Sequence, residues 1–293
     1  MRIKQSFGER MFDVFNVALL LVTCGVVLLP LMHVVAGSLS ETNALIHAKV
    51  TIWPVGFNFD NYILVFKNQT FWQSFGITAF VVLVGTALNM LLTIFTGYPL
   101  SKSFLRGRKY VMLFIVFTMI FTAPMIPSYL LVKMLGMMNS VWALIIPSAL
   151  AAFNLILCIT FFRGLPEELF EAARVDGMNE YRVVAQIAMP LSMPIIVTLA
   201  LFYSVAHWNN YYSALLYITD PDLRPLQLYL YNLLAQFDTS DTLTYMSNTV
   251  TYDISPQGLQ MATIIVATLP IVIIYPFIQK HFIKGAMIGS LKE

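Results

Sequence analysis

Apolar residues in this 293-residue chain fall in long runs rather than on one side of a repeating pattern. Six windows reach the roughly 20 mostly apolar residues that a helix needs to cross a bilayer. They lie near 14–36, 75–100, 110–132, 141–162, 190–218 and 259–279. Between the fourth and fifth windows the pattern breaks. The stretch RGLPEELFEAARVDGMNEYR (163–182) carries five of the fifteen carboxylates in the chain. Burying the charged groups from Arg163 to Asp176 at a helix centre would cost roughly 15–20 kcal/mol. The stretch therefore lies outside the hydrocarbon. Pro166 suits a first helical position, and Glu167 and Glu168 suit the positive end of a helix dipole. Leu165, Leu169, Phe170, Ala172 and Ala173 supply an apolar face, and Gly177 suits a left-handed stop. Asn179 is placed to cap a second helix that runs through Val183, Val184 and Ile187 to Pro190. On the residues alone, this amphipathic helix is either a solvated connector or a docking surface.

Composition agrees with a membrane protein. The chain is 58% hydrophobic and 11% charged, where a soluble domain carries about 25% charged residues. Mean hydropathy is +0.75. The expected fold class is an all-α, polytopic membrane protein: one transmembrane domain over 1–293 with six spans and a helix outside the membrane. The first window follows Arg2, Lys4 and Arg10, but it is too long for a secretory leader and lacks a small-x-small cleavage site, so it reads as a retained span. With both termini cytoplasmic, the inner segments hold thirteen of the seventeen Lys/Arg residues, and the outer ones hold only Lys49, Lys67, Lys133 and Arg224. The positive-inside rule favours that orientation, which puts 163–190 in the cytoplasm.

Two outer segments are long. Residues 37–72 include WPVGFNFDNYILVF, whose aromatics suit the membrane interface. Residues 219–258 carry Asp220, Asp222, Asp238, Asp241 and Asp253 against Arg224, and QFDTSDTLTYMSNTVTYD (236–253) reads as a polar loop. A structureless loop of this length is usually functional or disordered. Prolines at 30, 99, 124, 127, 147, 190, 194, 270 and 276 interrupt the windows. They suit either kinked helices that line a path or the ordinary tolerance of membrane helices for proline. Cys24 and Cys158 lie inside spans and read as packing residues.

No G-x-x-x-x-G-K-[ST] loop, H-E-x-x-H, C-x-x-C or G-x-S-x-G occurs. The chain is therefore expected to bind no nucleotide through a phosphate loop, to hold no metal and to be no enzyme. A secondary transporter or channel working alone is the rival reading. It would usually place ionisable residues deep in its spans, yet no Asp or Glu lies inside any proposed span, so the energy should come from another polypeptide. The cluster Tyr203, Trp208, Tyr211, Tyr212 and Tyr217 suits an aromatic belt or, with Asn209 and Asn210, a sugar-stacking path.

The stretch EAARVDGMNEYRVVAQIAMP resembles the EAA loop of permease subunits of binding-protein-dependent ABC importers. The family pattern is Glu-Ala-Ala, three residues, Gly, nine residues, Ile-x-Leu-Pro. Glu171, Ala172, Ala173, Gly177, Ile187 and Pro190 match it, and Met189 replaces the leucine. FNFDNYILVF resembles the first outer loop of the carbohydrate branch, and HFIKGAMIGSLKE its C-terminal tail. FGITAF (75–80) departs from an Asn-Ser common in relatives. WNNYYSALLYITDPDLRPLQLYLYNLL is most similar to a subgroup associated with complex or uronate oligosaccharides, such as the permeases of the alginate importer.

The resemblance implies a permease of an ATP-driven oligosaccharide or polysaccharide importer, multi-pass in a bacterial inner membrane. It implies a second homologous permease as heterodimer partner, two ATP-binding subunits and a periplasmic solute-binding protein. ATP and magnesium would be bound by the ATPase and no cofactor by this chain. Contacts would be with lipid and a carbohydrate substrate, and no nucleic-acid partner is expected. Glu171, Ala172, Ala173, Asp176, Gly177, Ile187 and Pro190 would form the ATPase-coupling region. Within it Glu171 would make the polar contact, the alanines would permit close approach and Gly177 would set the turn. Trp208, Asn209, Asn210, Tyr211 and Tyr212 would line the substrate path. The outer loop, with Asp238, Asp241, Tyr245, Tyr252 and Asp253, would meet the binding protein, and GAMIGSLKE would reach the ATPase.

Overall fold

A computed structural model describes residues 7–238 and 255–290 of the chain. It is 79% helical, and no strand occurs among the described residues. The helices are α1 (Phe7–Ser38), α2 (Thr42–Ile46), α3 (Asp60–Lys67), α4 (Gln69–Ser101), α5 (Arg108–Ile120), α6 (Met125–Met134), α7 (Trp142–Ile145), α8 (Ala152–Arg163), α9 (Glu167–Val175), α10 (Glu180–Val183), α11 (Met189–Leu191), α12 (Met193–Trp208), α13 (Tyr211–Tyr217), α14 (Leu226–Asp238) and α15 (Pro256–Ser290). They divide into two compact units, Met1–Gln69 with Asn232–Leu269, and Thr70–Tyr231 with Pro270–Glu293.

In the first unit α1 is exposed along nearly its whole length and buries only Ala36, Gly37 and Ser38 at its end. Its 32 residues rise about 48 Å, more than a bilayer core. Beyond it the chain forms a compact knot rather than a loop. Ser40 Oγ donates to the Ala36 carbonyl at 2.7 Å and accepts from Val55 N–H at 3.0 Å. Asn61 Nδ2 donates to the Ser38 carbonyl at 3.2 Å. Ala36, Ala44, Leu45, Val50 and Met261 make the core of this unit. Of the aromatics of the 37–72 segment, Trp53, Phe57 and Phe59 are exposed, whereas Tyr62 OH lies 2.7 Å from the buried Ser38 Oγ and Phe71 is buried.

The second unit is organised on α4. Its buried face carries Ser74, Thr78, Val81, Gly85, Asn89, Thr93 and Gly97, while Leu83, Leu91 and Phe95 are exposed. Phe71, Met90, Ile94, Tyr98 and Leu100 are also buried, and the small and polar members of the buried set let neighbouring helices approach closely and hydrogen-bond, as they do between membrane helices. Three of the expected spans are not single rods. The segment expected as 110–132 is α5 and α6, bent by 115°. The segment expected as 141–162 is α7, with a 3-10 turn to Ser148, bent by 51° against α8. The expected 190–218 span begins only at Met193, after an 87° bend, and α12 stops at Trp208. Trp208 thus ends a helix of sixteen residues, about 24 Å long. With each bent pair counted as one crossing, six segments are long and apolar enough to span.

Prolines alone do not set the breaks. Pro124, Pro147 and Pro190 lie at bends, whereas Pro30, Pro99, Pro270 and Pro276 lie inside continuous helices. The 219–258 segment also departs from expectation. It opens with a 3-10 turn and α14, whose Leu226, Leu228 and Leu230 are buried. Leu226 N–H donates to Thr78 Oγ1 at 2.8 Å. Asp241, Tyr245, Tyr252 and Asp253 lie outside the described residues. Asp238 ends α14. At the C-terminus α15 continues as helix through Gly285 and Gly289 to Ser290.

Candidate functional site

The segment between α8 and α12 is built by its local sequence. Pro166 precedes α9, and Glu167 and Glu168 occupy its first turn. Phe170 and Ala173, one turn apart, point inward and are 1% and 4% exposed. Glu171, Ala172, Arg174, Val175 and Asp176 point outward. The helix ends at Gly177 with φ of +75°. Gly177 N–H donates to the Arg174 carbonyl at 3.1 Å, and Met178 N–H to the Ala173 carbonyl at 3.0 Å. These paired bonds make a Schellman stop. Asn179 Oδ1 then accepts from Arg182 N–H at 2.9 Å and caps α10. A π-helical turn over Val184–Ala188 leads through α11 to the bend at Ser192.

The motif residues therefore part company. Glu171, Ala172, Asp176 and Gly177 are exposed on one surface. Ala173 belongs to the chain's own core with Phe170, Val183 and Ala188, so its small size lets α9 lie close to its own protein. Ile187 is half-buried against the same core, and Pro190 is exposed. The outward apolar positions are Leu169, Ala172 and Val175, at three-residue spacing, with Leu169 43% and Val175 87% exposed. The expected apolar face thus splits in two, with Leu165, Phe170 and Ala173 packed inward.

What holds α9 in place is not evident in the sequence. The end of α4 contributes Tyr98 and, one turn on, Lys102. Lys102 is 7% exposed. Its Nζ sits 3.4 Å from the Phe170 ring centroid and 5.4 Å from that of Tyr98. Tyr98 OH donates to Glu180 Oε2 at 3.1 Å, and Glu180 Oε1 lies 3.4 Å from Arg174 Nε. Burial pushes the Lys102 ammonium below the usual lysine range, and the nearby Glu167 carboxylate pulls it partly back. In sequence Lys102 is one basic residue among many on its side of the membrane. Its seat depends on a ring 68 positions away.

A buried polar seam joins α4 to α12. Thr86 Oγ1 and Ser204 Oγ are 3.1 Å apart, and Thr93 Oγ1 and Tyr203 OH 2.8 Å apart. The seam also satisfies the broken backbone before α8, where Asn89 Nδ2 donates to the Ser148 carbonyl at 3.0 Å and Tyr203 OH accepts from Ala151 N–H at 3.3 Å. Such side-chain partners are what let irregular backbone exist away from water. His207 Nε2 lies 3.5 Å from Asn89 Oδ1, in space that only a glycine at position 85 leaves open. A Cβ there would meet the imidazole at 2.6 Å. Cys158 packs against Gly97 in the same core.

The aromatic group beyond α12 has mixed roles. Trp208 is buried edge-on to Phe75 at 5.9 Å, and among the described residues its indole N–H has no partner. Asn209 Nδ2 donates back to the Val205 carbonyl, and Asn210 Oδ1 caps α13 through Ser213 N–H. Tyr211 stacks on Tyr231 at 5.5 Å, and Tyr212 OH contacts Met125 Sδ at 2.7 Å. Asn209, Tyr211 and Tyr212 are exposed.

Known proteins share this architecture. The sequence model of the family described as "Binding-protein-dependent transport system inner membrane component" matches residues 89–287. Protein LplC of Bacillus subtilis (strain 168) is 43% identical over 97% of this chain and 95% of its own length. The polygalacturonan/rhamnogalacturonan transport system permease protein YtcP of the same organism is 40% identical over 97% of this chain and 99% of its own. A chain from the crystal structure of a bacterial ABC transporter involved in the import of the acidic polysaccharide alginate superposes with a TM-score of 0.90. It is 29% identical and covers 96% of this chain and 99% of that one.

Proposed function

This chain belongs to the family of binding-protein-dependent transport system inner membrane components, and on that premise we propose that it is one permease half of an ATP-driven carbohydrate importer, coupled to a separate ATPase through α9. The neighbours named for polygalacturonan and rhamnogalacturonan transport and for import of the acidic polysaccharide alginate support a substrate drawn from polysaccharide fragments. The assembly would hold a second permease, two ATPase subunits that bind ATP and magnesium, and a binding protein outside a bacterial inner membrane. Both termini and α9 would face the cytoplasm.

The observation that carries this reading is the outward surface of α9. Glu171, Ala172 and Gly177 match the EAA spacing and are exposed together, on a helix anchored from behind by Phe170 and Ala173. Leu169, Ala172 and Val175 would offer an apolar contact, Glu171 and Asp176 the polar one. Ala173 would act from behind by keeping α9 close to its own chain, and Ile187 and Pro190 by setting the approach to α12. Asn209, Tyr211 and Tyr212 are this chain's exposed contribution to the path, while Trp208 and Asn210 serve packing and capping. The segment 236–256, with Asp238, is proposed by its position as the contact with the binding protein.

Uptake by vesicles holding this chain, its partner permease, the ATPase and the binding protein is expected to require ATP and to persist without a proton gradient. Gradient-driven uptake by this chain alone would contradict the proposal.

A further inference from the structure

Lys102 is a cation in a costly place. Among the described residues its ammonium makes no hydrogen bond and no ion pair, yet the side chain is buried. The carboxylates of Glu167 and Glu180 act on it only through their fields. What compensates the lost hydration is the face of Phe170, 3.4 Å from Nζ, with Tyr98 at 5.4 Å. A cation over a ring is held by the ring quadrupole, and the attraction depends on where over the face it sits. An apolar residue at 102 would fill the space but would let Phe170 slide. The contact therefore fixes the position of α9 on the end of α4, and the Tyr98–Glu180–Arg174 chain of bonds ties α10 to the same end. From there α4 runs into the seam with α12 at Thr86 and Thr93.

We propose that Lys102 is a positioning residue of the coupling apparatus, which registers α9 on α4 through Phe170 so that a push on Glu171 and Ala172 reaches the spans. This rests on α9 being the coupling helix. Lys102 touches neither substrate nor the outward surface of α9, so its effect is on transmission.

The test is the amount of sugar taken up per ATP hydrolysed by the full reconstituted assembly, measured for Lys102→Met and Lys102→Arg. A cation–π contact of ordinary strength predicts that Lys102→Met lowers this ratio by about fivefold or more, while Lys102→Arg stays within about twofold of wild type. Damage to folding or assembly lowers uptake and hydrolysis together and leaves the ratio unchanged. An unchanged ratio in a Lys102→Met assembly that forms in wild-type amount, or equal loss in Lys102→Arg, overturns the proposal. Should Lys102→Met fail to assemble, Phe170→Leu, which keeps the core filled but removes the ring, is expected to lower the ratio, and a normal ratio there overturns it equally. A normal ratio in Ala172→Arg would instead count against α9 as the coupling helix, whatever Lys102 does.

Discussion

The carboxamide of Asn89 donates to the carbonyl of Ser148 at 3.0 Å across the second unit. That carbonyl lies where the 3-10 turn after α7 gives out, so α4 supplies from outside what the broken helix lacks within. A part-buried hydrogen bond of this kind contributes about 0.5–1.5 kcal/mol. Asn89→Leu is accordingly expected to lower the thermal midpoint of the purified assembly, with helix content in the folded state unchanged. A midpoint equal to wild type would show that the break needs no clamp.

The ring of His207 occupies the space left by Gly85. Gly85→Ala should therefore cost about 1–3 kcal/mol, as overpacking does. The cost should nearly vanish in a His207→Ala background, and a thermal double-mutant cycle measures that difference. Additive effects would mean that the two residues do not share the space.

At Gly177 the constraint is conformational and not steric, because a Cβ would meet nothing within 4 Å. With φ at +75°, an L-residue costs about 1–2 kcal/mol, and Asn least among them. Gly177→Asn is expected to keep most of the uptake per ATP, and Gly177→Leu to lose it. Equal behaviour of the two in the uptake assay would contradict the role given to the turn.

The parts of the fold legible in the sequence are those fixed locally. Gly177 as a stop, Asn179 as a cap and the acidic first turn at Glu167 and Glu168 depend on neighbours within four residues, and each forms as its sequence predicts. Lengths of apolar chain likewise report the spanning segments. The breaks are another matter. Pro99 and Pro270 lie in unbroken helices, while the break after Pro147 is stabilised by Asn89 and Tyr203 from distant segments. The helix α14 escapes notice because Leu228, buried between Leu226 and Leu230, gives the run a two-residue alternation that masks the helical i, i+4 pair. Ala172 and Ala173 look alike in sequence, and only the placement of Phe170 beneath the helix decides which one faces out. Lys102 is hidden for the same reason.

The proposed function gives the outward surface of α9 the coupling to an ATPase. Its most direct test is uptake per ATP hydrolysed by the complete assembly carrying Ala172→Arg and Gly177→Leu together. Membrane insertion and pairing with the second permease should survive, since neither position lies in the core. The ratio is predicted to fall by an order of magnitude or more, in line with the loss of a contact worth about 1.4 kcal/mol or more. A double variant that moves as much sugar per ATP as the wild type would contradict the claim.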